Sequence, residues 1–366
     1  RLWTDLVTRK MNVNGGVSPM GRGLSRRGDV VCEAVGPPYF LPNTDAYNET
    51  CGQVGNLMWN QRMLIADPQV CYADMVEWEI YNGILPGMNL EGDTWWYRTP
   101  LRRHEDHVAV GHNNLAEREP PGRQRICCPT NVLRTMAQFQ SYVYTVDNEG
   151  VWIHQYGANK AQLPLSSGDT LELEQKTDYP WDGQITIRIE HAPEIETSIR
   201  LRIPGWAQDP MLKINSEPTN NQLQPGTYVN LQRTWKSGDQ IELDLPMPAR
   251  LIVAHPKVEQ CRNQVEVARG PVLYCLEGCD LPDNVRIDQI CVPRDVEFET
   301  EAVKGMPFGI TGLRANLLRQ PDPEWDVQLY RTISPYPLET LSTRLIPYFA
   351  WGNRSGQAMS VWLHVR

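Results

Sequence analysis

Several features are scarce in this 366-residue chain. No run of about 18 apolar residues occurs, so no segment is built to cross a bilayer as a helix, and no membrane partner is expected. Basic charge is outnumbered: 35 Lys and Arg stand against 44 Asp and Glu. The formal net charge of -9 leaves no net basic field to hold phosphates, which argues against a nucleic-acid partner. Nine cysteines, an odd number, include no Cys-x-x-Cys pair and are too few for a dense disulfide framework at this length. Most are expected to be free, buried or metal-bound. The opening RLWTDLVTRK has neither an initiator methionine nor the basic-then-apolar pattern of a signal peptide, and it reads as the inside of a helix. The chain is therefore expected to be truncated and its compartment unreadable; a soluble protein of periplasm or cytoplasm is the expectation. No internal repeat or low-complexity tract is present.

What the chain does contain falls into two textures. A hydrophobic content of 41% is enough for two or three domains with proper cores. Residues 1–140 carry helical patterns, in CGQVGNLMWNQRMLIA from Cys51, VCYADMVEWEIYNGI from Val70 and NVLRTMAQFQSYVY from Asn131, separated by Gly/Pro-rich connections. From about Tyr142 the chain turns to short alternating strands such as SIRLRIPGW and ITIRIEH, punctuated by Ser-Gly, Pro-Gly and Glu-Gly. Strands at this spacing suggest β-sandwiches, and segments 141–249 and 250–366 are each the right size for one.

The segment RICCPTN places Cys127 beside Cys128 just where a helix should begin. Neighbouring side chains diverge on helix and strand alike, so both sulfurs meet one centre only where the backbone turns sharply. A metal ion is the simplest such centre; a vicinal disulfide and two unrelated buried thiols are the rivals. In NETCGQ, Glu49 and Cys51 converge only if the segment is extended or forms the first turn of the following helix. Zinc accepts oxygen and sulfur at four tetrahedral positions, so Glu49, Cys51, Cys127 and Cys128 make a candidate ligand set. From the residues alone, a structural zinc is the simpler use.

Other carboxylates are less marked. Val70, Ala73, Glu77, Ile80 and Ile84 fall on one helical stripe, so Glu77 interrupts an apolar face; a salt-bridged core glutamate is the ordinary explanation. Asp74 and Glu79 lie off the stripe and are expected to be solvated. Glu33 follows an apolar run and precedes a Gly-Pro-Pro break, the kind of position that is commonly just exposed.

Together NETCGQVGNLMWNQRML, YADMVEWEIYNGIL, WWYRTPL, RICCPTN and PYFAWGNR resemble, in the same order, the zinc-dependent β-L-arabinofuranosidase family, glycoside hydrolase family 127 with its close relatives. The resemblance implies a multidomain fold: the C-terminal part of an (α/α)6 barrel, then two jelly-roll-like β-sandwich domains. It implies one Zn2+ held by Glu49, Cys51, Cys127 and Cys128, with Cys127 as nucleophile and Glu33 as acid/base. It also implies that Glu77 and Tyr97 contact the sugar. Such an enzyme would release β-L-arabinofuranose from the non-reducing end of plant cell-wall oligosaccharides with retention. Retaining enzymes with two carboxylates hold acid and nucleophile about 5 to 5.5 Å apart, and a similar gap is expected from Glu33 to Cys127.

Two departures accompany the resemblance. The family's barrel begins upstream of anything matching RLWTDLVTRK, so its N-terminal half, with histidines that touch the sugar, has no counterpart here and is the expected missing partner. His104, His107 and His112 belong to what reads as a charged loop. Cys275 and Cys279, in CLEGC, are open to a second metal site or a disulfide, though the strand texture favours core thiols. The second departure is Arg22, Arg26 and Arg27, a basic segment in an acidic chain. Solvated charges explain it, yet arginine forks suit a carboxylate, and the family includes members that release the acidic pectic sugar aceric acid. A catalytically inactive carbohydrate-binding protein with structural zinc is a further alternative. Replacing the three arginines by alanine is expected to raise KM for an acidic sugar and spare a neutral one; equal effects on both would end the case for acid recognition.

Overall fold

The computed structural model describes every residue except 25–27, 105–117, 119–125, 322–328, 333–336 and 355–357, and only the backbone of Arg22, Leu24 and Val31. Arg26, Arg27, His107 and His112 lie outside the described residues, as does the side chain of Arg22. His104 is exposed.

The first layer is helical, as its patterns predict. Helix α1 covers Leu2–Arg9, α2 Thr50–Ala66, α3 Val70–Trp78 and α4 Cys127–Gln138. All five stripe residues of the second pattern are buried; Ile80 and Ile84 pack with Val54, Leu57 and Val132 of α2 and α4, and Ala73 with Leu64. Past Trp78 the helix loosens into a π-helical turn, Glu79–Ile84. A two-stranded antiparallel hairpin, β1 Met20–Leu24 and β2 Val30–Ala34, stands beside the helices.

Next come a four-stranded sheet built on Glu196–Ile203 and a six-stranded sheet built on Gln184–His191. Alternation sends Ile199, Leu201 and Ile203 of the first and Ile185, Ile187 and Ile189 of the second into one shared core. The remaining strands form a ten-stranded sheet. Its strand Gln264–Arg269 pairs both with Leu363–Val365 and with Val272–Glu277, so the sheet returns on itself around a core of its own. No helix among the described residues is long and apolar enough to cross a membrane.

Several connections among the described residues fix the helical layer to the sheets. The short strand Arg102–Arg103 pairs with Met359–Ser360 and extends the ten-stranded sheet. Trp96 stacks on Trp351 with ring centroids 5.0 Å apart, and the Arg118 guanidinium covers both rings. The third connection is Arg202, which the alternation of SIRLRIP sends out of the shared core towards α3. It is fully buried and paired with Glu77 (Nη2 to Oε1, 2.6 Å; Nη1 to Oε2, 3.1 Å) and Asp74 (2.6 Å). Tyr179 Oη and Trp206 Nε1 complete the shell of Glu77 at 2.5 and 3.3 Å.

Two expectations are corrected here. Glu77 is a paired core acid rather than a sugar contact, because four donors from the following domain occupy both its oxygens. Asp74 is an ion-pair partner rather than a solvated charge. Removing Glu77 strands a buried guanidinium, so Glu77→Ala is expected to cost about 3–5 kcal/mol in urea unfolding. A joint Glu77→Met, Arg202→Met replacement should recover much of it. A loss below about 1 kcal/mol for the single change would remove the strut role.

Candidate functional site

Two helix N-termini meet at the site. Glu49 is the N-cap of α2, with φ -59° and ψ 134°, and Cys51 lies in that helix's first turn. An extended N-cap turning into a helix is the geometry that lets residues two apart converge. Cys127 and Cys128 open α4, with Pro129 next, where a missing N–H costs nothing. Both helix ends favour negative charge.

The four side chains form one cluster. Cys51 Sγ is 3.3 Å from Cys128 Sγ, and Cys127 Sγ is 3.9 Å from Cys128 Sγ. Glu49 Oε1 is 3.7 Å from both Cys127 Sγ and Cys128 Sγ. All four donor atoms lie within 4.8 Å of one another. A tetrahedral site with metal–sulfur bonds of about 2.3 Å has edges of about 3.8 Å. The donor set and its edges thus fit a four-coordinate metal ion. They do not fit a disulfide: the sulfurs are well beyond the bond length of about 2.05 Å, and all nine cysteines are free.

The electrostatics point the same way. The neighbouring Cys128 thiol lowers the pKa of Cys51, while burial raises Cys127 and Glu49. Cys128 goes up chiefly because it donates to the Cys51 sulfur. Four potential anions so close together ionise jointly only beside a cation.

Around the cluster the sulfurs are not equivalent. Cys128 is 1% exposed, so its sulfur faces the cluster and not solvent. Asn131 Nδ2 donates to Cys51 Sγ at 3.1 Å. Cys127, like Cys51, is half-buried.

Glu33 sits on β2 with a left-handed backbone, φ 51°, and its side chain is exposed. Tyr47 Oη and Tyr97 Oη each donate to its Oε1 at 3.0 Å, and the two hydroxyls are 3.1 Å apart. Burial lifts the Tyr47 hydroxyl to about 12, and Tyr97 rises for the same reason, so both stay protonated donors. Tyr97 also bonds Glu49, and its backbone carbonyl accepts from Thr50 N–H in the first turn of α2. Tyr97 therefore bridges the cluster and Glu33. Arg98, next in the chain, lies over the Tyr47 ring at 5.6 Å.

Five sequence-derived residues are thus brought together with Tyr97: Glu33, Glu49, Cys51, Cys127 and Cys128. Glu77 is tied up with Arg202 instead. Tyr47 and Asn131 were missed, although Asn131 closes RICCPTN and Tyr47 stands immediately before NETCGQ. Trp95 and Trp96 are buried on opposite sides, in separate cores. Glu79 also departs from expectation: it is fully buried rather than solvated, because it continues a second buried stripe of α3 with Tyr72 and Val76. Cys275 is a core thiol. Cys279 lies with Glu277 and Asp280, but Arg354 already pairs with both carboxylates, so that second cluster needs no metal ion.

Known proteins resemble the chain along its length. The family models for the β-L-arabinofuranosidase GH127 catalytic domain, the GH127 middle domain and the glycoside hydrolase family 127 C-terminal domain match residues 1–141, 150–247 and 249–364. A non-reducing end β-L-arabinofuranosidase of Bifidobacterium longum subsp. longum is 32% identical over 99% of this chain and 54% of its own length. A solved glycoside hydrolase superposes with a TM-score of 0.94 at 37% identity, over 99% of this chain and 61% of that one. A GH127 β-L-arabinofuranosidase from Geobacillus stearothermophilus T6 gives 0.88 at 30% identity, over 100% and 56%. The chain spans little more than half the length of these relatives. Matched by three successive family models, and carrying three cysteines and a glutamate placed so that they could hold a metal ion, the chain belongs to glycoside hydrolase family 127.

Proposed function

We propose that the protein is a retaining, exo-acting glycoside hydrolase that releases β-L-arabinofuranose from plant cell-wall glycans, with Cys127 as nucleophile and Glu33 as acid/base. The observation that carries this reading is the convergence of Glu49, Cys51, Cys127 and Cys128 into one tetrahedral-sized set, joined to Glu33 through Tyr97. Zn2+ is the ion that best suits three sulfurs and one oxygen, and when bound it keeps these thiols ionised and fixed in place.

Cys127, half-buried where Cys128 is sealed, attacks the anomeric carbon. As the glycosidic bond breaks through an oxocarbenium-like state, the Glu33 carboxylic acid gives its proton to the departing oxygen. A thioglycosyl bond to Cys127 results. Glu33, now a carboxylate, takes a proton from the water that displaces the sulfur, and two inversions give net retention. Tyr47 and Tyr97 aim Glu33 throughout by donating to Oε1, which leaves Oε2 for the proton.

The domain reading belongs with this proposal. Residues 1–140 form the C-terminal part of an (α/α)6 barrel, and 141–249 and 250–366 form β-sandwiches. The exposed Leu2, Ile65 and Leu133 on α1, α2 and α4 are apolar surface that the remaining barrel helices would cover.

Pectic side-chain oligosaccharides given to the zinc-loaded protein at its full natural length are expected to yield arabinose, identified by mass, and Cys127→Ala to yield none. Release of a carboxylated sugar would redirect the specificity, and no release at all would leave a binding protein. Glu33→Gln should keep the zinc but lose about 10²–10⁴-fold in turnover on poor leaving groups, and far less on activated aryl glycosides. Equal losses on both would count against the acid role.

A further inference from the structure

Behind the N-terminus of α2 lies a second polar cluster that the proposed reaction does not use. Asn12, Asn48, Gln53, Asn56, Glu79 and Thr99 are each at most 3% exposed. Asn48 precedes Glu49 and has a left-handed backbone, φ 34°. Its carbonyl oxygen accepts from Gln53 Nε2 at 3.2 Å, Thr99 N–H at 3.2 Å and Thr99 Oγ1 at 3.1 Å. Its Oδ1 accepts from Asn12 Nδ2 at 2.9 Å. The peptide that delivers Glu49 is therefore fixed from behind, and Gln53 is part of the grip.

Gln53 is itself oriented, because its Nε2 also donates to Thr99 Oγ1 at 2.6 Å. Its other end, Oε1, has no hydrogen-bond partner among the described residues, and neither does Glu79 Oε2. Both oxygens face the notch left by Gly83: a Cβ there would fall 2.5 Å from Gln53 Oε1 and 2.2 Å from Glu79 Oε2. Gly15 closes the opposite side, where a Cβ would lie 2.6 Å from Glu79 Oε1. Asn56 Nδ2 donates to Glu79 Oε1, and no basic side chain pairs with Glu79 among the described residues. Two buried acceptors facing one notch repel unless one carries a proton. Burial drives the Glu79 pKa well up, which favours that proton.

We propose that Glu79 is held as a neutral carboxylic acid donating to Gln53 Oε1, and that Glu79 and Gln53 are positioning residues for Glu49. The chain of contact runs from Asn56 through Glu79 and Gln53 to the Asn48 carbonyl, and so to the N-cap of α2. The positioning half rests on the reading of Glu49 as a metal ligand.

Two measurements test it on the full-length protein. Infrared spectra at neutral pH should show a buried carboxylic-acid carbonyl band that E79Q lacks; absence of that band from the wild type overturns the neutral acid. Zn2+ affinity is then read by competition with a chromogenic chelator, on variants whose circular dichroism matches the wild type. E79Q can donate and accept in the same places and should stay within about threefold, whereas E79M and Q53M should weaken binding about 10–100-fold. An E79Q loss as large as that of E79M, or no loss in Q53M, overturns the positioning role. If E79M does not fold, Q53M and E79Q decide. Wild-type protein that takes up no Zn2+ defeats the metal-ligand reading and the positioning role with it, while the infrared band still decides the state of Glu79.

Discussion

Everything near the site follows from the crowding of three thiols and a carboxylate within 4.8 Å. Such a set is unfavourable as four neutral groups, since burial leaves sulfur a poor hydrogen-bonding partner, and unfavourable as four anions, since they repel. A dication resolves both, and the chain supplies what can be supplied in its absence: two helix N-termini and the Asn131 amide donating to Cys51. The inequality of the three sulfurs is a consequence of the same packing. One is sealed, one accepts from an amide, and one is half-buried beside Glu49.

The sheets hold this arrangement still. Arg202, held over the Tyr156 ring at 5.6 Å, presents two charges' worth of ion pairing to α3 from the four-stranded sheet. Asn82 clasps the third unit through both amide atoms, donating to Pro271 O and accepting from Leu273 N–H, each at 2.8 Å. These contacts lie on the two sides of the α3 segment. The helix that packs against α2 is therefore braced by both sheet units, and α2 carries Glu49 and Cys51.

Much of this was legible locally. The stripe Val70 to Ile84 obeys a period of 3.6, so its burial could be read from spacing alone. Glu49 with Cys51, and Cys127 with Cys128, were legible because only a helix start lets such close neighbours converge. Glu79 was not, because it lies on a second face of the helix with Tyr72 and Val76, and one apolar stripe does not show that a polar neighbour is covered as well. Glu77 was ambiguous for a different reason: its partner Arg202 lies 125 residues along the chain, and alternation in SIRLRIP shows that Arg202 leaves the core without showing what covers it. The roles of Tyr47 and Asn131 depend on which atom each hydroxyl or amide meets, a tertiary fact with no periodic signature. The closure of the last sheet likewise rests on one strand pairing with two others.

The stacking of Trp96 on Trp351 bears on how the molecule is made. Tyr97, which bridges Glu49 and Glu33, is the next residue after Trp96, and the strand at Arg102–Arg103 is completed by Met359–Ser360. During synthesis the helices around Cys51 leave the ribosome some 300 residues before their far-side support does. Until that late stretch arrives, the segment bearing Tyr97 lacks the Trp351 ring for its indole and the Met359–Ser360 neighbour for its strand. The nascent protein can gather its thiols early, but the link from Glu49 through Tyr97 to Glu33 gains its far-side support only when the third unit has folded onto the first.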